Sequence, residues 1–181
     1  MPRACPAGLL SCQRRINPFV NLVRKNRNTS QEAEFARARD YAFLLLKFRL
    51  RSEAELIGRL KQKKFSEVVC RRVVAFLKEK RFLDDEEFAR SWISSRIKRP
   101  LGLRRLKREL KAKGVDSPII EEQLRVAARD YNEKEVIEGL VSAKLKAFKS
   151  LDPLKARKRV FGFLLRRGFS ADAALEVLNR L

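Results

Sequence analysis

The sequence predicts an all-α protein: an elongated, curved array of three tandem three-helix repeats of about 50 residues, preceded by a basic, disordered N-terminal arm. The 181 residues include only 7 glycines and 6 prolines. Long proline-free stretches are rich in Leu, Lys, Arg, Glu and Ala, which favour helix. Apolar residues recur at helical spacing from about residue 32 onward, and one segment pattern recurs at fixed offsets along the chain.

The arm is predicted to span residues 1–33. Its first 31 residues contain no acidic side chain, and its prolines are scattered. It lacks the apolar run of a secretory signal peptide. The sequence leaves two interpretations of this segment open, a disordered basic arm and a transit peptide. No stretch of the chain approaches the roughly 20 apolar residues that a membrane span needs, so we expect no membrane partner.

The first helix is predicted over Glu34 to Arg49. Its apolar face is formed by Phe35, Ala38, Ala42, Leu45 and Leu46.

Short polar residues predict the starts of the helices that follow. Ser52 and Glu55 have the spacing of a capping box, in which each side chain accepts a hydrogen bond from an unpaired amide at the helix start. Ser66 is the predicted cap of the third helix. The acidic run Asp84 to Glu87 suits the positive end of a helix dipole at the start of the fourth. A metal site is the alternative for this run, but it lacks a partner set of ligands.

An internal repeat divides the helical part into three units. The apolar pairs that end corresponding helices are Leu56 and Leu60, Leu106 and Leu110, and Val160 and Leu164, at offsets of 50 and 54 residues. Gly114 and Gly168 follow two of these helices, where a left-handed residue is common. The predicted units are residues 34–83, 84–131 and 132–181. Units this small should stack on their neighbours to bury their apolar faces.

The chain contains 43 Lys and Arg against 22 Asp and Glu, a net charge of +21. Such a surplus predicts a polyanionic partner, although solvated helix faces would give a similar composition. The three cysteines have no C-x-x-C spacing and no histidine is present. We therefore expect no metal or other cofactor, a reducing cytoplasm as the location, and Cys70 as a small core residue.

The densest basic region lies between residues 96 and 113. We expect these bases to bind the polyanion: Arg96, Lys98, Arg99, Arg104, Arg105, Lys107, Arg108, Lys111 and Lys113. Four of them, Arg104, Lys107, Arg108 and Lys111, have the i, i+3, i+4, i+7 spacing of one helix flank. Like charges stacked in this way destabilise an isolated helix, which suggests a partner that neutralises them.

A second basic face is predicted in the third unit. It is formed by Lys155, Lys158, Arg159 and Arg166. Trp92 and Tyr131 have two interpretations. They are either stacking platforms for bases or packing between units, and packing is the more usual role.

Three motifs in this order resemble the RecX family of RecA regulators. They are the segment from Phe82 to Ala89, the Gly102 to Leu106 run with Leu110 to Gly114, and the closing segment from Phe163 to Ser170. The resemblance covers about Ala36 to Leu181. Arg81-Phe82 stands where the family often has Gly-Tyr, and Leu103 stands where it often has Pro.

The resemblance implies a RecA–DNA filament as the partner, with the chain bound in the filament groove to damp ATP hydrolysis and strand exchange. Single- and double-stranded DNA would be contacted by the basic residues named above. We find no catalytic constellation, and we expect neither enzyme activity nor a small-molecule substrate. The alternatives are a general DNA- or RNA-binding helical module and an enzyme whose residues are not recognisable.

Overall fold

A computed structural model describes the backbone of residues 18–180, and their side chains from residue 30 onward. Within this range the chain forms nine α-helices and no strand. The helices are α1 (Pro18–Phe48), α2 (Glu53–Gln62), α3 (Glu67–Glu79), α4 (Asp85–Ile97), α5 (Leu103–Ala112), α6 (Ser117–Ala127), α7 (Glu133–Ala147), α8 (Pro153–Arg167) and α9 (Ala171–Arg180).

Consecutive triplets of helices pack into three bundles, which confirms the predicted three-helix repeats. Each helix contacts the other two of its own triplet. Each bundle has its own apolar core, centred on Leu56 and Leu60, on Leu106 and Leu110, and on Val160 and Leu164. The apolar pairs recognised as a repeat are therefore the core residues of corresponding middle helices. Cys70 is fully buried in the first core, as predicted.

Helix α1 is longer than the sequence predicted. It begins at Pro18, whereas the prediction placed the first helix at Glu34 to Arg49 and assigned residues 18–33 to a disordered arm. Neither Pro nor Gly interrupts the chain between residues 19 and 48, and proline is well suited to the first position of a helix. Residues 24–32 contain no apolar side chain, so the apolar periodicity that predicted the first helix begins only near Glu34. Residues 1–17 lie outside the described range.

Helices α2, α3 and α4 begin directly after the predicted residues Ser52, Ser66 and Asp84, but only some of the predicted capping hydrogen bonds form. Ser52 accepts a hydrogen bond from the Glu55 amide and Asp84 accepts from the Glu86 and Glu87 amides. The reciprocal half of the capping box is missing, because the Glu55 carboxylate binds Arg49 and Lys113 instead. The Ser66 side chain does not cap α3; its hydroxyl and its amide both bind the Glu34 carboxylate of α1.

The middle helices of successive units meet end to end. At the first joint, the hydroxyl of Ser52 before α2 donates to the Lys113 carbonyl after α5. At the second, the Gly102 amide before α5 donates to the Arg167 carbonyl at the end of α8, at 3.1 Å. Gly114 and Gly168 follow these carbonyls with φ of 75° and 90°. Both are left-handed, as predicted, and α5 is held at both ends.

Candidate polyanion-binding surface

Helix α5 presents a row of bases because its apolar residues are spaced for burial on the opposite face. Leu106 and Leu110 are fully buried in the second core. The residues of the outward flank, Arg104, Lys107, Arg108 and Lys111, line one side of a trough. The structure thus brings together the four bases whose helical spacing predicted a shared surface.

The other side of this α5–α8 trough is apolar and comes from the third unit. It is formed by Leu165, Gly168 and Phe169, and the trough has a volume of about 430 Å³. Gly168 permits the close approach, because a Cβ at this position would lie 2.4 Å from the Arg105 Cβ. The apolar wall was missed from the sequence, since no pattern shows which residue of the third unit faces α5.

Three of the four trough bases lack an intramolecular counterion. Lys107 is 3.0 Å from the Glu121 carboxylate, and this hydrogen bond lowers the pKa of Glu121. Arg104, Arg108 and Lys111 are exposed and form no ion pair with any residue that the structure describes. The trough is therefore a concentration of positive charge with unused hydrogen-bond donors.

The bases predicted in the third unit also converge. Lys158, Arg159 and Arg166 line a second cavity of about 320 Å³ between α7 and α8, together with Lys144. Lys155 is exposed one turn earlier on α8 and is not among the lining residues. The cavity also contains the Phe163 ring, and the Lys144 ammonium lies 4.9 Å from its centroid. Lys144 begins the basic region that ends at Arg167, but it was not assigned to the predicted face because sequence spacing does not align α7 with α8.

Three predicted bases have intramolecular partners around Trp92. The Arg96 guanidinium stacks 4.6 Å from the centroid of the Trp92 ring and the Lys113 ammonium lies 5.0 Å from it. Arg105 and Arg96 both pair with Glu109, whose carboxylate also accepts from the Trp92 indole. These contacts give Trp92 a packing role and give the three bases a structural one.

Lys113 belongs to the joint between the first two units. Its ammonium donates to the Glu55 carboxylate at 2.6 Å, and Arg49 donates to the same carboxylate from the other side. Partial burial alone would raise the pKa of Glu55, but the hydrogen bonds from Arg49 and Lys113 outweigh it and lower the pKa to about 2. Glu55 therefore stays ionised and holds α2 to α5.

The remaining predicted residues lie outside both cavities. Lys98 and Arg99 are exposed in the α4–α5 connection. The Tyr131 hydroxyl donates to the Leu101 carbonyl at 2.9 Å, and burial raises the pKa of Tyr131 to about 12. Tyr131 thus packs within the protein. Asp84 caps α4, as predicted for the acidic run.

Two structural findings bear on other classes of function. Among the described residues, no group of three or more His, Cys, Asp or Glu side chains could hold a metal ion. No helix in this part of the chain is long and apolar enough to cross a membrane.

Comparisons with known proteins match all three units. Residues 38–77 match the first three-helix domain of RecX, residues 84–124 the second, and residues 132–178 the third. The regulatory protein RecX of Mycobacterium sp. (strain JLS) is 40% identical over 147 residues, which cover 78% of this chain and 80% of the relative. That of Clostridium acetobutylicum is 30% identical over 156 residues, covering 83% and 72%.

Solved structures give the same fold. The crystal structure of RecX from Lactobacillus salivarius superposes with a TM-score of 0.75 at 19% identity, covering 83% of this chain and 97% of that one. A second RecX crystal structure has a TM-score of 0.78 at 17% identity, covering 86% and 77%. The three matched domains, together with relatives of up to 40% identity over most of both chains, establish that this chain belongs to the RecX family of regulatory proteins.

Proposed function

We propose that this chain regulates a RecA recombinase by lying in the groove of the RecA–DNA filament and lowering its rate of ATP hydrolysis and strand exchange. The observation that carries the proposal is the α5–α8 trough, in which Arg104, Arg108 and Lys111 are exposed without a counterion among the described residues. The choice of a recombinase as the target is supported by membership of the RecX family, for which the resemblance noted above implies RecA as the partner.

Both components of such a filament fit the chemistry of the trough. Guanidinium groups form paired hydrogen bonds with phosphates and with carboxylates, so Arg104 and Arg108 suit single- or double-stranded DNA and an acidic protein surface alike. The Leu165 side chain, 37% exposed on the apolar wall, adds an apolar contact that naked phosphate backbone does not use. The action is binding in the cytoplasm, with no catalytic step, cofactor or small-molecule substrate.

The test is ATP hydrolysis by RecA on single-stranded DNA, titrated with this protein. We expect inhibition at substoichiometric protein. A variant with Arg104, Lys107, Arg108 and Lys111 changed to Ala should need on the order of tenfold more protein for the same inhibition. Solvent-exposed charged contacts contribute about 0.3–0.5 kcal/mol each, and four of them sum to roughly the 1.4 kcal/mol of a tenfold change.

A matched control removes four exposed bases of the first unit, Lys61, Arg71, Arg72 and Lys78, which pair with carboxylates on the same unit. This variant should inhibit like the original protein. Circular dichroism should show the same helicity for all three proteins. Equal inhibition by the trough variant would contradict the proposed surface.

The second candidate function is a general nucleic-acid-binding module. It is favoured by the spread of exposed bases over two units, from Arg104 to Arg166. This candidate predicts tight binding to naked DNA and unchanged RecA activity at concentrations that already saturate that DNA. Such a result would remove the recombinase from the proposal and leave the nucleic acid as the partner.

A further inference from the structure

A groove in the second unit lies between the C-terminal halves of α4 and α6, away from the trough bases on α5. Its volume is about 500 Å³ and its floor is apolar, formed by Ile93, Ile97, Val126 and Ala127. Val126 is 44% exposed, although it is a large apolar side chain in the middle of a charged surface. This volume is in the range of pockets that take up a ligand or the side chains of a peptide.

The corresponding place in the first unit is occupied by aromatic side chains. The buried residues Ala38 and Ala42 of α1 correspond to the buried residues Ala89 and Ile93 of α4. In the same alignment, Ser94 of the second unit corresponds to Phe43 of the first. The Phe43 ring packs edge to face against Phe82, with centroids 5.1 Å apart. A pair of aromatic rings thus covers the first unit where the second leaves apolar side chains open to solvent.

The rim of the groove carries positive charge on one side. Arg90 and Lys98 are exposed on or just after α4, two turns apart, and neither forms an ion pair with a described residue. Asp130 is the charged residue on the α6 side. A partner would therefore place carboxylates along α4 and a bulky apolar side chain on the floor between them.

Neither a second copy of this chain nor its residues 1–17 fit that description. A second copy carries a net charge of +21, which opposes its approach to a basic rim. Residues 1–17 contain no acidic residue that could pair with Arg90 or Lys98. The occupant that fits is a segment of another protein.

We infer that the α4–α6 groove binds an acidic peptide segment that carries a bulky apolar side chain. This inference concerns a second surface and does not depend on the α5–α8 trough. Apolar contact supplies the affinity, and the two bases on α4 select for carboxylates and orient the segment.

The experiment measures fluorescence anisotropy of a fluorescein-labelled peptide of four aspartates followed by Leu and Phe, with the full chain. A second peptide has Ser in place of Leu and Phe, so that it reports the attraction of any acidic peptide to a basic protein. We expect the apolar peptide to bind on the order of tenfold more tightly than the Ser peptide. Equal binding of the two peptides overturns the inference.

Variants locate the binding. Val126→Glu should reduce the advantage of the apolar peptide to near one, and Arg90→Glu with Lys98→Glu should weaken the binding of the apolar peptide several-fold. Leu175→Glu is the matched control, because Leu175 is a similarly exposed apolar residue, at 45%, on α9. The trough variant should retain the advantage. Loss of the advantage in the control or the trough variant, or its persistence in Val126→Glu, would place binding elsewhere and overturn the inference.

Discussion

Lys113 shows at the scale of one residue how a base in a basic cluster acquires a structural role. Its ammonium contacts the Glu55 carboxylate and the Trp92 ring, and its carbonyl accepts a hydrogen bond from the Ser52 hydroxyl. Glu55 lies 58 residues away in sequence, so spacing along α5 could not reveal the contact. Lys111, two residues earlier, faces the trough and has no such partner among the described residues. The proposed binding surface accordingly depends on Lys111 and its neighbours, and the joint depends on Lys113.

The ion pairs of Glu55 predict a dependence of stability on acid. The folded-state pKa of Glu55 is about 2, below its ordinary value of 4.5. The stabilisation is therefore fully present above about pH 4.5 and is lost as the pH falls towards 2. Glu55→Gln should lower the free energy of unfolding at pH 7 and should lose less stability than the original protein across that window.

Trp92 provides the measurement, because it is the one tryptophan of the chain and lies against Lys113. Its fluorescence during urea titration at several pH values should give the free energy of unfolding against pH for the original protein and for Glu55→Gln. Glu138→Gln, at an exposed position without an ion pair among the described residues, is the control and should leave the curve unchanged. Parallel acid profiles for the Glu55 variant and the original protein would contradict the role of Glu55.

At the scale of the element, α5 is fixed by backbone contacts at one end and by charged side chains at the other. Its N-terminal end meets α8 through the Gly102 amide and the Arg167 carbonyl, and a Cβ on Gly102 would lie 2.2 Å from the Gly168 backbone. Its C-terminal end meets α2 through Lys113 and Glu55. The trough is the outer side of the glycine joint, so the spacing of its two walls depends on Gly168.

Two glycines of the third unit should respond oppositely to substitution by alanine. Gly168→Ala should lower the free energy of unfolding by about 1–3 kcal/mol, because φ is +90° and the new Cβ would meet Arg105. Gly139→Ala, at an exposed position of α7 with no atom within 4 Å of the new Cβ, should raise the free energy of unfolding by about 0.5–1 kcal/mol. Urea unfolding measures both, and a neutral Gly168→Ala would contradict the close joint.

The predictable parts of these elements are those set by local chemistry. The left-handed glycines, the Asp84 cap and the buried Leu106 and Leu110 face follow from residues within one or two turns of each other. The errors arise where a distant residue competes. Glu34 takes the Ser66 hydroxyl that was expected to cap α3, and Arg49 and Lys113 take the Glu55 carboxylate. The early start of α1 was not predicted because nine residues, 24–32, without an apolar side chain interrupt the periodicity.

At the scale of the whole molecule, the three units have separate apolar cores, and each unit has a net positive charge. Each bundle buries its own middle-helix apolar pair, and the joints between bundles are made by a few polar or glycine contacts. Acidic partners neutralise bases at the first joint, whereas the trough and the α7–α8 cavity retain exposed bases without counterions among the described residues. The net charge itself is spread over the chain, at +5 for residues 1–33, +8 for the first unit, +3 for the second and +5 for the third. The trough and the α7–α8 cavity are therefore distinguished by the convergence of their exposed bases and not by the net charge of their units.

That distribution predicts the salt dependence of DNA binding. Each phosphate neutralised by a base contributes roughly 0.9 to the log–log slope of affinity against salt concentration on duplex DNA. Replacing Arg104, Lys107, Arg108 and Lys111 with Ala should therefore flatten the slope by about 0.9 for each phosphate that these bases no longer neutralise. Removing Lys61, Arg71, Arg72 and Lys78, whose charges are already paired within the first unit, should change it little. Filter binding or anisotropy with one duplex at several salt concentrations gives both slopes. Equal flattening by the two variants would mean that total charge, and not the trough, determines the binding.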